Sequence, residues 1–282
     1  MPCSAITLSL ATICAVVSVA LVSIAFGTDN WQYINVNRTN VEAKLQNAPS
    51  INPSDFQEKG LYFTRTKGLF RICFPKTRPA KEDLYLSPVE TYCKNIDYHI
   101  FDEDDTTSSF KEDEMTRLHM ARSMIALFIV SFFFVFVAFW TGVAGCWRRS
   151  PGNIASTAIL MLLACLFSAG GMGLWHGCEY FEEEKLRVAP YKMSWDPLLQ
   201  DSTSVSYDWS YFIAWIGVGW ALISALLFSG ASVCLRTERE REEAKNMAYL
   251  MPVYPQKQQY PTYGYGYPGP YHYGSQYGPY NY

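Results

Sequence analysis

Charge is scarce in this sequence, and its distribution is uneven. Asp, Glu, Lys and Arg make up 17% of the 282 residues, yet residues 1–28, 123–147, 150–178 and 209–235 contain none of them. A bilayer core takes about 20 apolar residues to cross, whereas a soluble core of this size needs no such runs. One ordinary soluble domain is therefore excluded. No acidic or basic residue falls near the centre of any run, which argues against a pump, a secondary transporter or a voltage sensor. Histidine is also sparse: His99, His119, His176 and His272 show no metal-ligand spacing. No phosphate-cradling Gly-Lys-Ser loop and no Gly-x-Ser-x-Gly elbow occurs. Gly171-Met172-Gly173 lies inside an apolar run with no strand before it, so it is no nucleotide loop. These absences point away from an enzyme and from any cofactor or metal. The basic residues form no patch, so nucleic acid is not an expected partner.

What is there is a set of four transmembrane helices at about 5–26, 123–146, 154–175 and 210–235, the second carrying the block Phe128-Ile-Val-Ser-Phe-Phe-Phe-Val-Phe-Val-Ala-Phe-Trp140. In hydrocarbon every backbone amide must be satisfied within its own segment, so isolated spans are helices. The first run has a rival reading as a cleaved signal peptide. It lacks a basic leading region and a clean Ala-x-Ala site, so we read an uncleaved helix. Small residues recur in pairs (Gly142 and Gly145, Gly173 and Gly177, Gly217 and Gly219), a pattern that close helix packing explains.

Orientation follows from the basic residues. Arg148 and Arg149 sit in the short connection between the second and third spans, and Arg236, Arg239, Arg241 and Lys245 follow the fourth. Short positive segments stay in the cytosol, so both termini are expected there. Segments 27–121 and 176–208 are then extracellular, and the sequon Asn37-Arg38-Thr39 in the first makes Asn37 a glycosylation candidate. Cys73 and Cys93 share that segment in an oxidising compartment, which favours a disulfide between them. Residues 60–74 alternate and are rich in aromatic and β-branched side chains, so they read as two strands around a turn. Cys178 leaves an odd thiol, either buried at the membrane surface or paired between chains. Both segments are net acidic. The acids Asp102–Asp105 are either a solvated linker or a feature that attracts cations.

Residues 1–235 thus form the membrane domain and 236–282 a cytosolic tail. Arg236–Lys245 alternates Glu and Arg and extends the fourth helix. From Tyr249 the chain holds 11 Tyr, 6 Pro and 5 Gly in 34 residues, a composition that reads as disordered. Residues 258–282 are also uncharged, but their Pro and Gly content excludes them from the bilayer. Cys146 and Cys234, beside Arg148 and Arg236, are S-acylation candidates. The ending Tyr280-Asn281-Tyr282 is a weak match to a carboxyl-terminal peptide for a PDZ groove.

Trp31, Gly68-Leu69-Phe70, Cys73 and Cys93, with Ala121-Arg122 opening the second span, resemble the signature of claudins and their relatives. That superfamily includes peripheral myelin proteins and calcium-channel gamma and AMPA-receptor auxiliary subunits. With the four spans, the resemblance covers residues 1–235. Phe70 stands where the family has Trp, and the interval between the cysteines is longer than in a typical claudin. The long sequon-bearing loop and Tyr207-Asp208-Trp209-Ser210 are closer to the auxiliary-subunit and transmembrane protein 178 branches.

The resemblance implies a membrane all-α left-handed four-helix bundle. A small extracellular antiparallel β-sheet, made by both outer loops, would sit on it. Trp31 would lie at the lipid interface beneath the sheet. It also implies a non-enzymatic plasma-membrane protein at cell–cell junctions that builds a paracellular barrier. Its partners would be the bilayer, like or related tetraspans alongside it and across the contact, and cytosolic scaffold proteins. The alternative it leaves open is an auxiliary subunit that modulates a channel or receptor in the same membrane.

Overall fold

The structure is a computed structural model and describes residues 3–45, 52–98, 112–187 and 189–250. Four long helices carry the apolar runs: α1 (Cys3–Gly27), α4 (Glu112–Arg148), α5 (Pro151–Tyr180) and α7 (Trp209–Leu250). All four are long and apolar enough to cross a membrane. The loop after α1 contains β1 (Gln32–Val36), α2 (Arg38–Leu45), α3 (Pro53–Glu58), β2 (Arg65–Lys67), β3 (Arg71–Phe74), β4 (Tyr85–Leu86) and β5 (Tyr92–Asn95). The loop after α5 adds α6 (Pro197–Asp201) and β6 (Thr203–Tyr207). A compact unit ends at Arg241, and residues from Glu242 onward lie outside it. The Asp102–Asp105 acids and the terminal Tyr280–Tyr282 fall outside the described residues.

Helix α4 has 37 residues, about 55 Å at 1.5 Å per residue, against roughly 30 Å of hydrocarbon. Its charged opening turns therefore project past the bilayer. The turn into α5 is tight. Arg149 takes a left-handed backbone (φ 45°), and Pro151 follows in the first turn of the helix, where a missing N–H costs nothing. Within the bundle, buried hydroxyls cross between helices: Ser18 donates to Gly217 O (2.7 Å), Ser131 to Ala164 O (2.8 Å) and Ser224 to Ala11 O (3.0 Å). Such bonds are favoured where the alternative partner is lipid.

The glycine pairs divide. A Cβ at Gly145 would meet Ile154 at 2.9 Å and one at Gly217 would meet Val22 at 2.7 Å, so both serve close packing. Gly173 and Gly219 have nothing within 4 Å and do not. Phe133, Phe136 and Trp140, each about 60% exposed, lie three or four positions apart on one face of α4 and suit contact with lipid.

Six strands form one antiparallel sheet in the order β4-β5-β3-β2-β1-β6, with both long loops contributing. The expected strand–turn–strand over 60–74 is shorter than the alternation suggested. Gly60–Tyr62 is a 3-10 turn, and the strands begin at Arg65 and Arg71. One apolar core joins sheet and bundle through Trp31, Leu69, Met124, Phe128, Met172 and Trp175. A second lies between the sheet and the loop helices, around Val41, Phe56, Phe63, Phe74 and Leu199.

Candidate functional site: the stapled sheet and its seat on the bundle

The sheet is fixed to the bundle by the turn between β2 and β3. Gly68, Leu69 and Phe70 form that turn, and Gly68 N donates to Arg71 O (2.9 Å). A Cβ on Gly68 would lie 2.5 Å from Asp29 Cα, so only glycine lets the turn meet the end of α1. Leu69 is fully buried, and Phe70 packs edge-on against Phe26 of α1 at 5.0 Å between ring centroids. Trp31 has no exposed surface. Its ring lies 5.0 Å from Trp175 and 6.1 Å from Phe128, and its Nε1 donates to Ala25 O (2.7 Å). The expectation of a lipid-interface Trp31 is therefore corrected. The indole lies beneath the sheet but is enclosed by protein, because Leu69, Trp175 and Phe128 take the places lipid would occupy.

Cys73 and Cys93 face each other across β3 and β5 and form a disulfide. The Asp29 carboxylate lies within 4.8 Å of both sulfurs. Bonded sulfurs have no thiolate to offer a metal, so this group is no metal centre. Asp29 instead pairs with Arg71 at 2.7 Å. Burial raises its carboxyl above the ordinary range, against the opposing pull of Arg71.

Arg122 lies on α4 near the sheet and donates through Nε to Tyr98 O (2.7 Å), while the Tyr98 hydroxyl donates to Leu69 O. Burial pushes the Tyr98 phenol up to about 12, so it stays a donor. Arg122 thus holds the Gly68-Leu69-Phe70 turn through Tyr98. The fold brings the seven signature residues together here, joined by Tyr98, whose stretch Cys93–His99 resembles the transmembrane protein 178 branch but whose role between Arg122 and Leu69 the sequence did not indicate.

A second tie was also missed. Glu182, in a π-turn at Phe181–Lys185 that ends α5, accepts from Lys67 of β2 and from Arg117 Nε of α4 (2.9 Å). Burial pushes its carboxyl up, and the two cations overcome that, so its pKa lies below the ordinary value. Next to it, Glu179 accepts from the Tyr207 hydroxyl (2.6 Å), from Gln32 Nε2 (3.2 Å) and pairs with His176 (3.3 Å). Burial, and then the bond to Glu179, raise the Tyr207 phenol. Asn30 donates to Asp208 (2.9 Å), and Thr28 and Ser210 share a hydrogen bond (2.8 Å), so residues 207–210 knit the start of α7 to the end of α1. For Glu179 and Glu182 the sequence hint was the acidic run after an apolar helix, which by itself reads as a solvated face; for residues 207–210 it was the Tyr207-Asp208-Trp209-Ser210 resemblance.

The remaining candidates stand apart from this site. Asn37 is exposed at the start of α2, where its Oδ1 accepts from the Thr39 hydroxyl (2.7 Å). Cys146 is exposed near the end of α4, and Cys234 is half-buried on α7. Cys178 is a free, buried thiol directed at Arg117 O (3.8 Å).

Four candidate spans, and a disulfide-stapled sheet seated on them by buried aromatics, define a multi-pass membrane protein of the claudin-like class. A family model described as PMP-22/EMP/MP20/Claudin tight junction matches residues 16–230. The chain belongs to that family. A search among curated proteins returned no match.

Proposed function

We propose that the protein is a non-enzymatic plasma-membrane tetraspan that assembles at cell–cell junctions and contributes to a paracellular barrier. The observation that carries this reading is the stapled six-stranded sheet, built from both long loops and held to the bundle at three places. A rigid platform of this kind suits contact with a like protein alongside or on a facing cell. In this reading both termini are cytosolic and the sheet is extracellular, an orientation that the basic residues after the second and fourth spans support. Asn37 carries an N-glycan, Cys146 and Cys234 are S-acylated, and the tail ending Tyr280-Asn281-Tyr282 binds a cytosolic scaffold.

The test is imaging of a tagged copy in a polarised epithelium, with mixed expressing and non-expressing cells. The protein is expected to concentrate where two expressing cells meet. Diffuse surface staining would overturn the junction reading. Stoichiometric co-purification with a pore-forming protein, and no contact enrichment, would establish the auxiliary-subunit reading, which the long first loop and Tyr207-Asp208-Trp209-Ser210 favour.

A further inference from the structure

A cavity of about 330 Å³ opens between one face of the sheet and the second long loop. Its floor is the sheet face carrying Gln32, Ile34, Arg65, Lys67, Ile72 and Phe74; its cover is the segment around Tyr191, Lys192 and Trp195. The disulfide belongs to the opposite side chains of the same strands, since Lys67 pairs with Ile72 while Thr66 pairs with Cys73. None of the signature residues lines this space, and its volume falls in the range of small-molecule sites.

The charges in the wall are unequally matched. Glu182 is taken by Lys67 and Arg117, Glu183 by Lys192 (3.4 Å) and Glu82 by Lys94 (3.6 Å) and the Gly60 amide (2.7 Å). Glu179 is taken by Tyr207 and Gln32. Asp97, the remaining acid of the wall, is exposed to solvent. Arg65 differs from the other cations. It is 9% exposed and has no carboxylate within 4 Å among the described residues. It uses only Nη1, which donates to the carbonyls of Gly60 (3.2 Å), Leu61 (3.0 Å) and Phe63 (3.3 Å). Nε and Nη2 donate to nothing among the described residues. Burial holds this guanidinium down at about 10, against the attraction of Glu82, so it remains charged at neutral pH in the wall of a cavity, its opposing charge shared with Lys94 and the Gly60 amide.

A guanidinium fork fits a carboxylate with two parallel bonds, and such bonds strengthen as water is excluded. Around it the cavity offers an apolar surface: Leu61, Ile72, Phe74 and the Trp195 ring, whose centroid is 5.5 Å from the Arg65 guanidinium carbon. We propose that this cavity binds a small organic carboxylate, its anionic end on Arg65 and its aromatic or aliphatic body between the sheet and Trp195. The proposal does not depend on whether the protein forms junctions or serves a channel.

The test uses the full-length protein in lipid nanodiscs. The probes are 3-phenylpropionate, 4-phenylbutyrate and N-acetyltryptophan, each beside its primary amide, read by saturation-transfer NMR and thermal shift. At least one acid is expected to bind saturably and at least about tenfold more tightly than its amide. Arg65→Gln is expected to erase that preference. Because Arg65 also holds three carbonyls, Ile72→Phe, which fills the cavity and leaves Arg65 in place, and Trp195→Ala, on the covering loop, are run in parallel. Both are expected to weaken binding at least about tenfold while the disulfide and the unliganded melt persist. Failure of every acid to saturate by about 10 mM would overturn the proposal. So would equal binding of acid and amide, or wild-type binding by folded Ile72→Phe.

Discussion

Gly68 and Gly219 are the same residue under opposite constraints. A Cβ at Gly68 would lie 2.5 Å from Asp29 Cα and 3.0 Å from Thr28 O, both backbone atoms that cannot swing away. Overpacking of this kind costs roughly 1–3 kcal/mol, so Gly68→Ala is expected to lower stability by about 2 kcal/mol or more. At Gly219 nothing lies within 4 Å, and the helix gains up to about 1 kcal/mol when glycine gives way to alanine. Gly219→Ala should therefore leave stability unchanged or raise it; paired thermal melts in detergent decide. Trp175 poses a different residue-scale problem. Its ring packs 5.0 Å from Trp31, but its Nε1 is buried without a partner among the described residues. An unmet buried donor costs about 1–3 kcal/mol, and the ring contacts recover part of that. Trp175→Phe removes the donor and keeps most of the packing. It is expected to cost under about 1 kcal/mol, whereas Trp31→Phe, which breaks a made bond to Ala25 O, costs about 1–3 kcal/mol more. A larger loss at Trp175 than at Trp31 would contradict this account.

At the scale of elements, the disulfide acts on a strand pair that is weak alone. β3 and β5 have four residues each, and a short isolated pair is marginal in water. Closing the 20-residue interval between Cys73 and Cys93 removes about 3 kcal/mol of unfolded-chain entropy. The Cys73→Ala/Cys93→Ala variant is expected to lose about that much and to release β4 and β5 first, because β2 and β3 are also held through Leu69. Hydrogen exchange of 85–95 rising well above that of 65–74 is the expected pattern; uniform loss across the sheet would count against it. Legibility in the sequence divides along the same line. The helices were legible because the bilayer imposes one simple rule on composition, and the stapled turn because tryptophan and cysteine are scarce and stand in the family's order. β6 was not. Its sequence, Thr-Ser-Val-Ser-Tyr, is polar, and it pairs with β1, more than 160 positions earlier. The start of α4 at Glu112, eleven residues before the apolar run, was equally hidden, since its charged turns are stabilised by Glu182 and Tyr98 rather than by lipid. The cavity is assembled from segments scattered over residues 32–205, so no local pattern announces it.

At the scale of the molecule, Glu182 joins three separate segments, which makes acidity a probe of how sheet and bundle are coupled. Its folded pKa is depressed below 4.5 by Lys67 and Arg117 despite burial. A depressed carboxylate contributes stability that is fully present above the unfolded value and is lost as pH falls through the folded one. Asp29 acts in the opposite sense, because burial raises its carboxyl above 3.8. It costs stability at neutral pH and returns it on protonation. The two groups titrate in overlapping windows below neutrality, so the wild type should show a shallow acid limb beginning below about pH 4.5, the ordinary Glu value. Glu182→Gln leaves two buried cations with a neutral partner, a change that costs about 3 kcal/mol or more when one side of a buried pair is removed. The variant should therefore melt lower at pH 7 and should no longer lose stability as the medium is acidified. With Asp29 titrating in the opposing sense, its curve should flatten or rise slightly as pH falls from neutrality through the ordinary Glu value of 4.5 and below it. Melting temperatures of both proteins in nanodiscs across that range measure the difference. An acid limb in Glu182→Gln as steep as the wild type's would mean that carboxylates elsewhere govern the acid response. The sheet would then be held to the bundle chiefly by Trp31 and the Gly68-Leu69-Phe70 turn.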